Sequence, residues 1–298
     1  MKLKSIFRAF KNPRHALLRL VEINLAYKLS DINYLRLIFF IVFGKRLNLK
    51  NPRTFNEKLS WLKIYGRRDI YTTMADKYAA KQFVASQIGR EHVVENYGVY
   101  EKWTDIKFDE LPEEFVIKCT HDSGGAFICR NKINFNKGSV QRQIEKNLNR
   151  DYFHPFREWP YKNIPHRIIV DRLLDDKTGS ELRDYKFWCF NGVPKYMYCT
   201  IKGKNIYENF YDMDFHPVPI DHGFPRHTPE FEKPFAFEEM KTLASKLSQG
   251  VPFVRVDFFY VEGTVYFGEF TFYDWAGLRP FRGNWDKELG KLILLPQI

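Results

Sequence analysis

Cysteine is scarce in this chain, four among 298 residues, and the four, at 119, 129, 189 and 199, show no C-x-x-C spacing. That argues against a disulfide-stapled scaffold. They read as buried thiols of a reducing compartment, each in an apolar, strand-like run. Long hydrophobic runs are lacking as well. The longest, residues 37–43, is too short to cross a bilayer. The first residues hold no apolar core followed by a small-residue cleavage site, so no signal peptide is expected and a cytoplasmic protein is the default. His216, His222 and His227 have no recognised metal spacing and receive no role. Acidic residues are rare at one end: residues 1–50 hold eleven Lys or Arg against only Glu22 and Asp31, and so carry most of the formal net charge of +11.

What is present is an ordinary globular composition, 44% apolar and 28% charged, long enough for one large or two moderate domains. Aromatic residues reach 17%, an excess that serves a core and equally suits sugar or base stacking. Within residues 1–50, Ile6, Phe7, Phe10, Ala16, Leu17, Leu20 and Val21 recur at helical spacing among the basic residues. Such a segment suits peripheral contact with an anionic membrane, at the inner face, or packing on its own domain with a solvated basic side. No motif and no basic patch elsewhere speaks for nucleic acid as a partner.

The most informative stretch is 253–273. Residues 253–261 and 265–272, rich in Val, Phe and Tyr and separated by Glu262-Gly263, predict a β-hairpin. Alternation puts Arg255 and Asp257 on one face of the first strand, and Glu269 and Thr271 on one face of the second. Folding then brings Asp257 and Glu269 together. Two carboxylates in an apolar hairpin call for a cation, such as Mg²⁺ completed by phosphates, or for a solvated edge.

Earlier segments supply the remaining parts. Thr54 followed by Glu57 predicts a capping box and a helix through Tyr65. Residues 71–88 predict a second helix with Lys77 and Lys81 one turn apart, surface lysines on pattern alone. Residues 115–129 read as strand, glycine loop and strand; Ser123-Gly124-Gly125 with Lys118 suits a phosphate or forms a plain hairpin loop. A helix is expected over 136–150. The aromatic, proline-rich stretch 151–165 serves as a lid or stacking platform, or anchors an irregular loop on the core. Residues 167–174, ending near Asp171, form a strand, and Asn191-Gly192 turns a hairpin that holds Lys186. Residues 207–234 read as irregular surface, 237–248 as an amphipathic helix, and a last helix runs to about residue 295.

In this order the segments resemble the ATP-grasp superfamily, and more closely its TupA-like branch, associated with bacterial cell-surface polysaccharide biosynthesis. The strings that carry the resemblance are Asn51-Pro-Arg-Thr-Phe-Asn-Glu-Lys-Leu-Ser-Trp61, Phe115-Val-Ile-Lys118, Ser123-Gly-Gly125, Arg157-Glu-Trp-Pro-Tyr-Lys-Asn-Ile164, Asp184-Tyr-Lys-Phe187, Arg255-Val-Asp257 and Gly268-Glu-Phe-Thr-Phe272. The resemblance implies an α+β, ATP-grasp fold whose two α+β subdomains close on Mg-ATP. These would be a nucleotide-lid subdomain over residues 72–168 and a metal-binding one over residues 169–298, after the basic segment 1–50.

The resemblance also implies roles. Lys77 and Lys118 would contact ATP phosphates beneath the loop Ser123, Gly124 and Gly125. Asp171, where the superfamily usually has Glu, would lie near the adenosine, and Lys186 would face phosphate or substrate. Arg255 would contact the transferring phosphate. Asp257 and Glu269 would hold Mg²⁺ with Thr271, which stands where the superfamily usually has Asn. The implied chemistry is that of an ATP-dependent carboxylate–amine ligase forming an amide through an acyl phosphate, with an amino acid and a uronic acid as a fitting pair. A glycosyltransferase using a nucleotide sugar is the alternative, its D-x-D motif met by Asp212-Met213-Asp214. A non-catalytic nucleotide or glycan binder is the third reading.

Overall fold

The computed structural model describes residues 28–175, 182–202 and 206–297. The helical spacing from Ile6 to Val21 lies outside them. Helix α1 (Asp31–Phe43) is capped by Ser30 and buries Tyr34, Leu35, Ile38, Phe39 and Ile41. Helix α2 (Phe55–Tyr65) follows with the expected capping box complete. Thr54 Oγ1 accepts from the Glu57 N–H at 3.3 Å, and Glu57 Oε2 accepts from the N–H groups of Thr54 at 3.1 Å and Arg53 at 2.9 Å.

The single helix expected over 71–88 is two, α3 (Asp69–Ala75) and α4 (Ala79–Ile88). They part at Asp76, whose carboxylate accepts from the Tyr78 N–H (2.9 Å) and from Arg167 (2.8 Å), while the Lys77 N–H leaves for Thr120 O (3.1 Å). An aspartate that bonds its own backbone two residues on competes with the helical ladder.

Two antiparallel sheets follow. The smaller has the order β1 (Asn96–Tyr100), β4 (Ile168–Arg172), β2 (Phe115–Cys119), β3 (Phe127–Cys129). One face buries Phe115, Ile117, Cys119, Ile168 and Val170 in a core shared with Ile144 of α5 (Lys137–Leu148). Because successive side chains alternate, the opposite face carries Lys118 and Asp171.

The larger sheet has the order β10 (Thr264–Thr271), β9 (Phe253–Val261), β5 (Asp184–Phe190), β6 (Val193–Lys202), β7 (Ile206–Tyr211), β8 (Pro217–Val218). Its two expected hairpins turn through Asn191 (φ 51°) and Gly192 (φ 83°), and through Glu262 (φ 50°) and Gly263 (φ 79°). Paired positive φ values match the twist of the flanking strands. Helix α6 (Phe237–Leu247) covers the face bearing Phe187 and Cys189, and α7 (Trp285–Leu292) packs on α2. The opposite face, covered in part by Phe55 of α2 on Trp188, carries Arg255 and Asp257 on β9, Lys186 on β5, Tyr198 on β6 and Glu208 on β7. Asp257 stands opposite Lys186, and Lys186 opposite Tyr198.

Residues 207–234 are therefore not all irregular surface. They contribute most of β7 and the whole of β8, and the buried polar residues Glu208 and Asn209 interrupt the alternation that marks a strand. All four cysteines are buried and unpaired, and burial pushes the thiols of Cys119, Cys189 and Cys199 up to about 12. Among the described residues no helix is long and apolar enough to cross a membrane.

Thr54→Ala removes one half of the capping box and is expected to lower stability by about 1 kcal/mol. Urea unfolding checks this: the midpoint should fall while the slope stays the same.

Candidate active site

The site begins with a register break. Phe267 pairs with Phe258 and Phe270 with Val256, so Gly268 and Glu269 together oppose the single residue Asp257. This bulge keeps Glu269 beside the Arg255–Asp257 face, and the two carboxylates meet through one guanidinium. Arg255 donates from Nε to Asp257 Oδ1 (2.7 Å), from Nη2 to Asp257 Oδ2 (2.7 Å) and Glu269 Oε1 (3.0 Å), and from Nη1 to Asp274 Oδ1 (2.6 Å) and the Tyr198 hydroxyl (3.2 Å). From β5, Lys186 Nζ donates to Asp257 Oδ2 and to Asp184 Oδ2, each at 2.8 Å. Burial alone would raise the Asp257 pKa, but Arg255 and Lys186 outweigh it and hold the carboxyl below its ordinary range.

The facing wall comes from the smaller sheet and the break between α3 and α4. Lys118 Nζ lies 2.9 Å and Lys81 Nζ 3.1 Å from the Asp171 carboxylate, which also accepts from Asn96 at 3.1 Å. Lys77 bonds the carbonyl of Asp122, with that residue's carboxylate at 3.7 Å. Burial lowers the Lys77 pKa, against the pull of Glu269 from the other sheet and of Asp122. Lys77 and Lys81 are thus not the surface lysines their spacing suggests. The interrupted helix turns both into the space between the sheets.

The loop from Ser123 to Gly125 leads out of β2 on this wall. At Gly125 a side chain would run into the Asp122 carboxylate, whereas at Gly124, with φ 78°, nothing lies within 4 Å of where one would start. The backbone at Gly124 is therefore open to a ligand. Tyr152 donates to Ser123 O at 3.2 Å, and so ties this loop to the aromatic stretch 151–165.

That stretch is seated by Arg157, fully buried at φ 54°. Its guanidinium pairs with Asp31 at 3.0 Å, donates to His154 O at 2.9 Å and lies over the Tyr34 ring. Lys63, also buried, donates to Phe156 O and Ala276 O, both at 2.7 Å. Burial moves Lys63 down to about 8 and Glu158 up to about 7, each group's charge opposing the other's shift. Tyr161 is pushed up by burial and by the nearby Glu158 and Glu269. The stretch therefore lies over the cleft.

Several of these residues carry no sequence signal. Asp274, buried and bonded by Arg255 and by Trp188 Nε1 (3.2 Å), sits in a turn with successive positive φ at Trp275, Ala276 and Gly277, where no periodicity points to it. Glu208 and His222 are 5% and 2% exposed; His222 Nδ1 lies 3.3 Å from Glu208 Oε2, yet neither ring nitrogen is hydrogen-bonded. A buried polar group left unpaired costs about 1–3 kcal/mol. Burial moves Glu208 up to about 8 and His222 down to about 4. Asp212 Oδ1, by contrast, accepts from the N–H groups of Asp214 (2.9 Å) and His216 (2.8 Å) and closes the exposed β7–β8 turn.

The donor set suits Mg²⁺. Glu269, whose side chain is 40% exposed, is bonded by Arg255 at one oxygen only, and the Thr271 hydroxyl lies 3.5 Å from that oxygen. Asp257 Oδ2 is filled by Lys186 and Arg255, while Oδ1 accepts once and keeps a lone pair. One or two carboxylates with phosphate and water are the usual shell of this ion.

The family model described as TupA-like ATPgrasp matches residues 57–294. A search of the curated proteins found no match. Among solved structures, the D-alanine–D-alanine ligase from Bacillus anthracis complexed with ATP aligns at 14% identity and a TM-score of 0.39, over 67% of this chain and 53% of that one. The D-alanine–D-alanine ligase from Helicobacter pylori aligns at 13% and 0.40, over 72% and 61%. D-cycloserine synthetase DcsG aligns at 13% and 0.39, over 75% and 70%. The chain thus spans little more than half of the Bacillus anthracis ligase.

Arg255→Ala would leave Asp257 and Asp274 buried without their main partner, and a loss of about 3–5 kcal/mol is expected in urea unfolding. Glu208 gives a pH signature. The unfolded chain releases this proton in the ordinary carboxylate range and the folded chain only near 8. The folded state therefore holds the extra proton between these values, and stability falls as pH rises through the window. Glu208→Gln removes that slope, so its melting temperature relative to the unsubstituted protein should rise from pH 5.5 to pH 8.

Proposed function

The chain belongs to the TupA-like ATP-grasp family, and from that premise we propose that it is an ATP-dependent carboxylate–amine ligase acting in bacterial cell-surface polysaccharide biosynthesis. The observation that carries this reading is Arg255, bonded at once to Asp257, Glu269 and Asp274, facing Lys77 and Lys118 across the gap between the sheets. Phosphoryl transfer needs positioned charge more than a nucleophilic side chain, and this arrangement supplies it.

In this reading Lys77 and Lys118 hold the ATP phosphates, the backbone of residues 123–125 closes over them, and Asp171 with its lysines lies toward the adenosine. An oxygen of the substrate carboxylate attacks the γ-phosphorus, ADP departs, and an acyl phosphate forms. Arg255 offsets the charge on the moving phosphoryl group, and Lys186 keeps Asp257 ionised. Mg²⁺, held by Glu269 with Asp257 and Thr271, would offset further phosphate charge. The amine then attacks the acyl carbon, the C–O bond to phosphate breaks, and an amide and inorganic phosphate result. The aromatic stretch 151–165 over the cleft would exclude water from the acyl phosphate.

A uronic acid as the carboxylate and an amino acid as the amine fit this chemistry. The aromatic wall of Tyr152 and Tyr161 suits a sugar face, and the basic charge of residues 1–50 suits peripheral contact at the inner face of the membrane. The D-x-D pair of the glycosyltransferase alternative, Asp212 and Asp214, gathers with His216 in the exposed β7–β8 turn, apart from the residues that bond Arg255.

Mg-ATP is expected to raise the melting temperature, by an amount equivalent to about 2.7 kcal/mol at a hundredfold excess over its Kd. Lys118→Met should cost on the order of 10²-fold in ATP turnover, and Asp257→Asn with Glu269→Gln should abolish the Mg²⁺-dependent part of the shift. Stabilisation by a UDP-sugar with ATP inert would overturn the ligase reading.

A further inference from the structure

The cleft face of the larger sheet does not end at the proposed phosphate site. Polar residues continue across it from Asp257 on β9 to Lys186 on β5 and Tyr198 on β6, and Glu208 on β7, opposite Thr200, follows two strands beyond Lys186. Arg255 marks the division. Its Nη2 serves Glu269, and its Nη1 serves Asp274 and Tyr198 on the other side. An amine bound on this second side would lie next to an acyl phosphate formed beside Arg255.

That side holds polar groups that are only partly partnered. The Glu208 carboxylate has His222 Nδ1 beside it, 3.3 Å from Oε2, and His222 is almost wholly buried with neither ring nitrogen hydrogen-bonded. Arg279 is fixed by its Nε on the carbonyl of His222 and by stacking over Phe224 (4.2 Å) and Trp275 (5.0 Å). Its terminal nitrogens make no hydrogen bond among the described residues. Trp275, 43% exposed, forms the outer edge. Two carboxylates, one fixed guanidinium and an aromatic rim within one cluster suit a small molecule bearing both charges.

We propose that the cluster of Glu208, His222, Asp274, Arg279 and Trp275 binds an amino acid as its zwitterion, the ammonium toward Glu208 and Asp274 and the carboxylate toward Arg279. This rests on the ligase reading and assigns the place of its amine. Glu208, protonated in the free protein, releases its proton to water as the ammonium binds, and His222, neutral between them, accepts from the ammonium or donates to the carboxylate. The free carboxylate of the bound molecule stays on Arg279, so its amino group is the end presented toward Arg255.

The test is thermal shift of the full chain, with Mg-ATP present, against the protein amino acids, glycine and D-alanine included, each compared with its methyl ester and its N-acetyl derivative. At least one free amino acid should raise the melting temperature, and neither of its blocked forms should. Glu208→Gln and Arg279→Gln should each weaken that binding by about tenfold or more while the Mg-ATP shift persists. Arg279 is partly exposed, so its variant reports even where the Glu208 variant folds poorly. A normal Mg-ATP shift with no response to any amino acid overturns the inference and leaves the ligase reading in place, as does binding unchanged in both variants. Absence of the Mg-ATP shift overturns the ligase reading itself.

Discussion

One buried guanidinium holds the cleft face of this protein together. Arg255 reaches carboxylates on its own strand, on the bulge of β10 and in the turn after β10, and it does so from within a sheet that is apolar on its other face. Asp257 could not stay ionised at this depth alone. Arg255 and Lys186 beside it keep it charged. The geometry of the hairpin, the bulge at Gly268-Glu269 and the turn at Asp274 all serve to bring oxygen atoms to one planar fork.

The second constraint is the facing wall. Lys118 points into the cleft because Phe115, Ile117 and Cys119 take the other side of β2 for the smaller core. Lys77 points there because Asp76 stops a helix whose residue pattern would otherwise continue. Cations from one sheet and carboxylates from the other attract across the gap, and the gap is the right kind of place for a polyanion with a hard cation. The loop 151–165 is held above it by the pairing of buried Arg157 with Asp31, so helix α1 reaches the cleft through that pairing without touching it.

Much of this is legible in the chain itself. Thr54 and Glu57 announce α2, Asn191-Gly192 and Glu262-Gly263 announce two hairpins, and the alternation around Arg255 places it beside Asp257 before any fold is known. The resemblance to the TupA-like family is carried by strings in these same segments, and the family match over 57–294 agrees with it. The failures have physical causes. The break at Asp76 depends on Arg167, ninety-one residues away, and β7 is disguised because its polar residues are buried rather than exposed.

Local periodicity determined which residues share a face, because backbone geometry alone sets the periods of strand and helix. It determined the hairpin turns and the capped helix for the same reason: their partners lie within a few residues. Tertiary structure decided which faces meet. Asp274 joins Arg255, Lys77 comes under the influence of Glu269, and Glu208 lies against His222 only once two sheets, a broken helix and a returning loop are packed together. Those contacts depend on burial and on long-range charge, which no window of sequence contains.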